Sequence, residues 1–301
     1  MPPPAASHKN SRTVSLVLGS GGARGLAHIG VIKWLEEHGF RIVSISGCSM
    51  GALVGGIYAA GKLEEFETWA RAIDKMSILG YLDISWRASG FVRGDKIIDT
   101  LVGVVGDWQI EDLPIAYTAV AANLDTGKEV WFQSGRLFEA IRASISLPFF
   151  FTAFDYNGQR LVDGGVLNPV PIAPTFGDQS DMTLSVNLGG DPEEIDPEPP
   201  EAPAPESSWA EINDKIARFF KDLSADEDLA ETKRELGVFE VGLRAFDAMQ
   251  NTIARQKLAA YPPDFELTIP RNICETLDFH LANEVIAFGY LRAAKKLGHL
   301  L

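Results

Sequence analysis

The sequence predicts an α/β protein whose core is a parallel sheet covered by helices. A strand, a glycine-rich turn and a helix follow one another over residues 14–38, and the same succession repeats over 42–60. Parallel neighbours need crossover helices, so consecutive strand-to-helix units imply a parallel sheet buried on both faces. The alternation of strand and helix continues to about residue 190.

Val14-Ser-Leu-Val-Leu18 is a short buried strand that breaks into Gly19-Ser-Gly-Gly-Ala-Arg-Gly25. Leu26–His38 then sets Ile29, Ile32, Trp34 and Leu35 at helical spacing, and Gly39 stops it. Ile42–Ser46 is a second strand, running into Gly47-Cys-Ser-Met-Gly51; the small-residue helix Ala52–Ala60 follows, with Gly61 as its C-terminal cap. Residues 62–94 begin helical and turn irregular, and Tyr81, Ile84, Trp86 and Phe91 give residues 76–94 the composition of a lid. Helices at 96–105 and 137–144 and strands at 115–122, 129–133, 160–162 and 182–186 complete this half. Farther on, Trp209–Leu223 carries one apolar helical face suited to the core or to lipid. Phe239–Ala260 is helical, Phe265–Ile269 is a strand and Asn283–Leu297 a closing helix.

A chain of 301 residues with 46% hydrophobic content can bury one large core. Four segments are expected: a disordered N-terminus (1–12), a catalytic α/β core (13–190), an acidic Pro-rich linker or insertion (191–207), and a C-terminal part (208–301) completing the same domain. The linker follows from composition: residues 191–206 hold seven acids, six prolines and no base, and cannot pack a core. The net charge of −14 argues against nucleic acid as a partner, because a phosphate-tracking protein shows a basic stripe. No apolar run reaches bilayer length and the polar N-terminus lacks a signal peptide's apolar stretch, so a cytoplasmic location is expected. Membrane contact, through residues 81–91 or the Trp209–Leu223 face, would be peripheral, on the inner face of the membrane. Cys48 and Cys274 lack metal or redox spacing and are expected to be reduced thiols.

Chemistry concentrates in three places. Gly47-Cys-Ser-Met-Gly51 fits a nucleophile elbow, in which Ser49 sits on a tight strand-to-helix turn and Gly47 and Gly51 leave room for the backbone. The loop Gly19–Gly25 opens like a dinucleotide fingerprint, but Arg24 stands at the third glycine position, and the lysine of a phosphate loop is missing. Its use is anion stabilisation by backbone N–H groups of Gly21, Gly22 and Ala23, with Arg24 adding positive charge. For the base, two candidates stand. One is Asp163, at a strand end before Gly164 and Gly165; the other is a histidine, His280 or His299, in the chain order Ser, Asp, His. Neither histidine has a loop context that suggests a site, and His28, on the helix after the glycine loop, also reads as structural.

Together these blocks resemble the patatin-like phospholipase family, specifically its small bacterial members. Gly19-Ser-Gly-Gly-Ala-Arg-Gly25 is similar to the family's oxyanion loop, Gly47-Cys-Ser-Met-Gly51 to its elbow, and Asp163-Gly-Gly165 to its aspartate motif. Ala143-Ser-Ile-Ser-Leu-Pro-Phe149 is similar to a further family segment that ends in proline before the aspartate strand. The resemblance implies a three-layer α/β/α sandwich with a mostly parallel sheet. It also implies a Ser49-Asp163 dyad without histidine, an acyl-enzyme intermediate, and phospholipase A or lysophospholipase activity on lipid acyl esters, with the backbone of Gly21–Arg24 holding the oxyanion. No metal or organic cofactor is called for. A carboxylesterase or thioesterase on soluble esters, or a non-catalytic regulator on the same fold, are the alternatives. Such a dyad requires a close Ser-Asp approach in a desolvated pocket, since an ordinary carboxylate is a weak base for a hydroxyl.

Overall fold

A computed structural model describes residues 12–73, 94–194 and 238–301. The expected lid (76–94) and the apolar Trp209–Leu223 face lie wholly or almost wholly outside those residues, as do the N-terminus before residue 12 and most of the acidic linker.

Among the described residues, eight strands form one sheet. β1 (Thr13–Leu18), β2 (Arg41–Cys48), β3 (Ala116–Asn123), β7 (Met182–Gly190) and β8 (Phe265–Pro270) are its parallel part, in the order β3-β2-β1-β7-β8. β4 (Lys128–Phe132) and β6 (Gln159–Asp163) pair antiparallel with β3, and β5 (Phe154–Tyr156) pairs antiparallel with β6. The helices are α1 (Ala27–Glu37), α2 (Met50–Ala59), α3 (Leu63–Arg71), α4 (Asp95–Val105), α5 (Leu137–Ser144), α6 (Val238–Ala260) and α7 (Ala282–Leu297). β5 was not anticipated: three residues are too few for a periodic pattern. The first helix is also preceded by a 3₁₀ turn, Gly22–Leu26.

The three layers follow from the two-residue period of β1. Val14, Leu16 and Leu18 point into the main core, which holds α1, α2 and α7, whereas Val17 points the other way, onto Val170, Ile172, and Ala254 and Leu258 of α6. The result is an α/β/α sandwich. α1 and α7 meet closely: a Cβ on Gly30 would lie 2.0 Å from the Ile286 carbonyl oxygen, and one on Gly289 2.1 Å from that of Ala27. The C-terminal part thus supplies both an edge strand and a core helix. The acidic segment is anchored where it begins, because Glu193 pairs with Arg292 of α7 and exchanges two hydrogen bonds with Asn272.

One detail of register builds the site. Ala119 and Val120 pair with both β2 and β4, and Ala121 pairs with both β4 and β6. A strand has two edges, so β2 and β6 must follow one another along the same edge of β3. Cys48 is opposite Val120, and Asp163 is opposite Ala121. The ends of β2 and β6 therefore abut, which brings Ser49 beside Asp163 although 114 positions separate them in the sequence.

Candidate active site

Ser49 stands between β2 and α2 with φ 56° and ψ −124°, a conformation rarely adopted by a residue with a side chain. The turn is tight because its flanks are glycine: a Cβ on Gly51 would lie 2.0 Å from the Leu18 carbonyl oxygen. Its backbone is held from a distance. The Ser49 N–H donates to Ser144 Oγ at 2.9 Å, and the Ser144 hydroxyl donates to the Val120 carbonyl at 2.7 Å. Two residues on, the Ser146 carbonyl accepts the Asp163 N–H at 3.0 Å, and the Ser146 side chain is gripped by Arg142 at 2.6 Å. Residues 144–146 thus brace Ser49 and Asp163 together.

Asp163 is wholly buried. Burial raises its pKa from 3.8 to about 6, against the opposing pull of the Ser49 side chain, the Gly165 N–H and the Cys48 thiol. Oδ1 accepts the Gly165 N–H at 2.7 Å and faces Cys48 Sγ at 3.7 Å. The Ser49 hydroxyl is near enough to favour the ionised carboxylate, yet Oδ2 has no well-formed hydrogen bond among the described residues. The two groups are adjacent and desolvated. Burial and the negative charge of Asp163 push the Cys48 thiol well above its usual range, so it remains protonated and acts as a donor to Asp163.

The glycine loop faces the same point. Gly22 has φ +57°, and a Cβ there would lie 2.4 Å from the Thr276 carbonyl oxygen, so glycine is required on both counts. Ala23 departs from the expected role: its N–H already donates to the Thr276 carbonyl at 2.8 Å. Arg24 departs too. Its guanidinium turns away into bonds with the Gly21 carbonyl, the Arg271 carbonyl and Asp247. Gly21 and Gly22 are left with N–H groups that take no acceptor among the described residues. Gly19 and Gly25 support the loop by close packing on Val186 and Met50, and Gly164 and Gly165 do the same on Val120 and Gln250.

None of the histidines contacts this centre among the described residues. His28 is buried, its Nε2–H donating to the Gly19 carbonyl at 2.9 Å, and burial lowers its pKa to about 4, which keeps it neutral. His280 lies 4.0 Å from Asp278, and His299 packs near Phe265.

An apolar cavity of about 130 Å³ opens beside Ser49, lined by Leu53 of α2, Phe66 and Ala70 of α3, Ile97 and Leu101 of α4, and Phe151 among others. A second, smaller recess of about 30 Å³ also touches Ser49 and is walled by Ser20, Gly22 and Arg24 of the loop, by Leu147, and by Leu243, Phe246, Asp247 and Gln250 of α6. These α6 residues were missed by sequence reasoning, as was the brace from Ser144.

The family profile described as patatin-like phospholipase matches residues 16–176, a span that holds the loop, the elbow and Asp163. The chain belongs to the patatin-like phospholipase family. It is 40% identical over 343 aligned positions to an uncharacterized NTE family protein of Mycobacterium tuberculosis, covering 99% of this chain and 95% of that protein. It is 27% identical to the lysophospholipase NTE1 of Kluyveromyces lactis over 97% of this chain, which corresponds to only 20% of that longer protein. The crystal structure of VipD from Legionella pneumophila aligns over 97% of this chain and 67% of its own, at 13% identity and a TM-score of 0.46. Patatin-like phospholipases form a family of lipid acyl hydrolases, and no helix among the described residues is long and apolar enough to cross a membrane.

Proposed function

We propose that this patatin-like protein is a serine lipid acyl hydrolase of phospholipase A or lysophospholipase type, working through Ser49 and Asp163. The observation that carries the proposal is the junction itself: a serine in a strained turn, a buried carboxylate beside it, and an apolar cavity opening at the serine. Asp163 takes the Ser49 hydroxyl proton as Oγ attacks the acyl carbonyl, and the N–H groups of Gly21 and Gly22 hold the resulting oxyanion. The tetrahedral intermediate collapses, the acyl–oxygen bond breaks, and protonated Asp163 returns its proton to the departing alcohol. Water, deprotonated by the same carboxylate, then cleaves the acyl-enzyme and releases the fatty acid.

A pKa near 6 suits both halves of this cycle, because the carboxylate is ionised at neutral pH yet basic enough to hold a proton in passing. The apolar cavity fits an acyl chain, and the lysophospholipase names of the relatives agree with a lipid ester. Hydrolysis of micellar lysophospholipid, compared with a soluble short-chain ester, tests the reading with wild type and Ser49→Ala. Ser49-dependent release of fatty acid, faster above the critical micelle concentration, is expected. Hydrolysis of the soluble ester alone would move the protein to the carboxylesterases, and undiminished hydrolysis by Ser49→Ala would remove the mechanism.

A further inference from the structure

The glycine loop is steered from α6, an element that the family profile does not reach. Arg24 is almost wholly buried, and its Nε–H donates to the Gly21 carbonyl at 3.0 Å. A peptide is planar and trans, so the Gly21 C=O and the Gly22 N–H point in opposite directions. A cation that pulls the carbonyl one way thereby aims the N–H the other way, and Gly22 lines the apolar cavity together with Ser49. The Arg271 carbonyl takes one guanidinium N–H at 3.4 Å, and Asp247 holds the cation more closely: its Oδ1 lies 2.5 Å from Nη2 and its Oδ2 lies 3.5 Å from Nη1, so the fork is matched by both carboxylate oxygens. One turn farther along α6, Gln250 bonds Ser20 Oγ at 3.1 Å and packs against Gly165, tying the same helix to the loop that carries Asp163.

We propose that Asp247 is a positioning residue of the acyl transfer, fixing the Gly21–Gly22 peptide through Arg24 so that the Gly22 N–H meets the oxyanion. The proposal rests on the reading of Ser49 and the glycine loop given above. Asp247 touches no reacting atom. Its influence falls mainly on the tetrahedral state, because the ground-state ester does not call on that N–H to the same degree.

The experiment compares wild type, Asp247→Asn, Asp247→Glu and Ser49→Ala on one lysophospholipid, with kcat and KM resolved, together with inhibition by an alkyl trifluoromethyl ketone, which forms a tetrahedral adduct. As a control on the same helix, Glu240→Gln breaks an exposed pair with Arg244 and leaves kcat unchanged. Losing an oxyanion donor outright costs about 10²–10³ in kcat, so a misaimed donor in Asp247→Asn should cost about 10- to 100-fold. KM should stay within about twofold, ketone affinity should fall in parallel with kcat, and Asp247→Glu should recover part of the loss. A folded Asp247→Asn with wild-type kcat overturns the proposal. So does a loss of kcat with ketone affinity intact, which would assign Asp247 to the fold alone. If Asp247→Asn fails to fold, Asp247→Glu decides by the same comparison of kcat with ketone affinity. Activity surviving in Ser49→Ala overturns the underlying mechanism instead, and so separates the two failures.

Discussion

Replacing Asp163 by asparagine separates what the carboxylate does for chemistry from what it does to folding. In the folded protein its pKa is about 6, raised by burial from 3.8. A raised carboxylate pKa means that the folded state binds the proton more tightly than the unfolded chain does. The contribution of Asp163 to stability is therefore most favourable below about pH 4, where both states are protonated, declines as pH rises toward 6, and above that carries the whole penalty of a buried charge. Two pKa units correspond to about 3 kcal/mol. Asparagine keeps the shape and the acceptor for the Gly165 N–H without the charge, so Asp163→Asn should be more stable than wild type by about 3 kcal/mol at pH 8, several degrees in Tm for a chain of this size. The two proteins should converge near pH 4. Thermal or denaturant melts across pH 4–8 measure this, and the stabilised variant should hydrolyse no ester. A variant no more stable than wild type at pH 8, or a gap that fails to close at low pH, would refute the account of a desolvated, proton-hungry base.

Other consequences follow from the same contacts. Ser144→Ala leaves the buried Ser49 N–H without its acceptor, so unfolding in urea should reveal a loss of about 1–3 kcal/mol, with kcat falling as the elbow relaxes. Ile97→Trp narrows the cavity; the ratio of dodecanoyl to butanoyl ester hydrolysis should drop by about tenfold, whereas an unchanged ratio would place the acyl chain elsewhere. His280→Ala should retain activity within about twofold, since His280 sits beside Asp278 and not Ser49, and a loss beyond about 100-fold would return the base to a histidine triad.

Much of this molecule was legible because its requirements are local. Gly47 and Gly51 announce a tight turn in five residues, and the two strand-to-helix units announce the parallel sheet. What could not be read depends on segments brought together from far apart. Ala23 matched the anion-binding pattern, but the Thr276 carbonyl, more than 250 positions away, returns to take its N–H. The same holds for Arg24, whose charge looked free to serve an anion until Asp247 appeared beside it. Ser144 and Ser146 were visible only as part of a segment resembling the family. Their work, spacing Ser49 from Asp163, exists because β2 and β6 share one edge of β3, a matter of register that no periodicity reports. Antiparallel β5 escaped for a different reason, its shortness.

The most direct test of the central claim is covalent labelling with an alkyl fluorophosphonate, followed by mass spectrometry of the digested protein. The account predicts one adduct on Ser49, formed faster above pH 6 than below it, and absent from Ser49→Ala. An adduct on another residue, or none under conditions where lipid ester is hydrolysed, would contradict it.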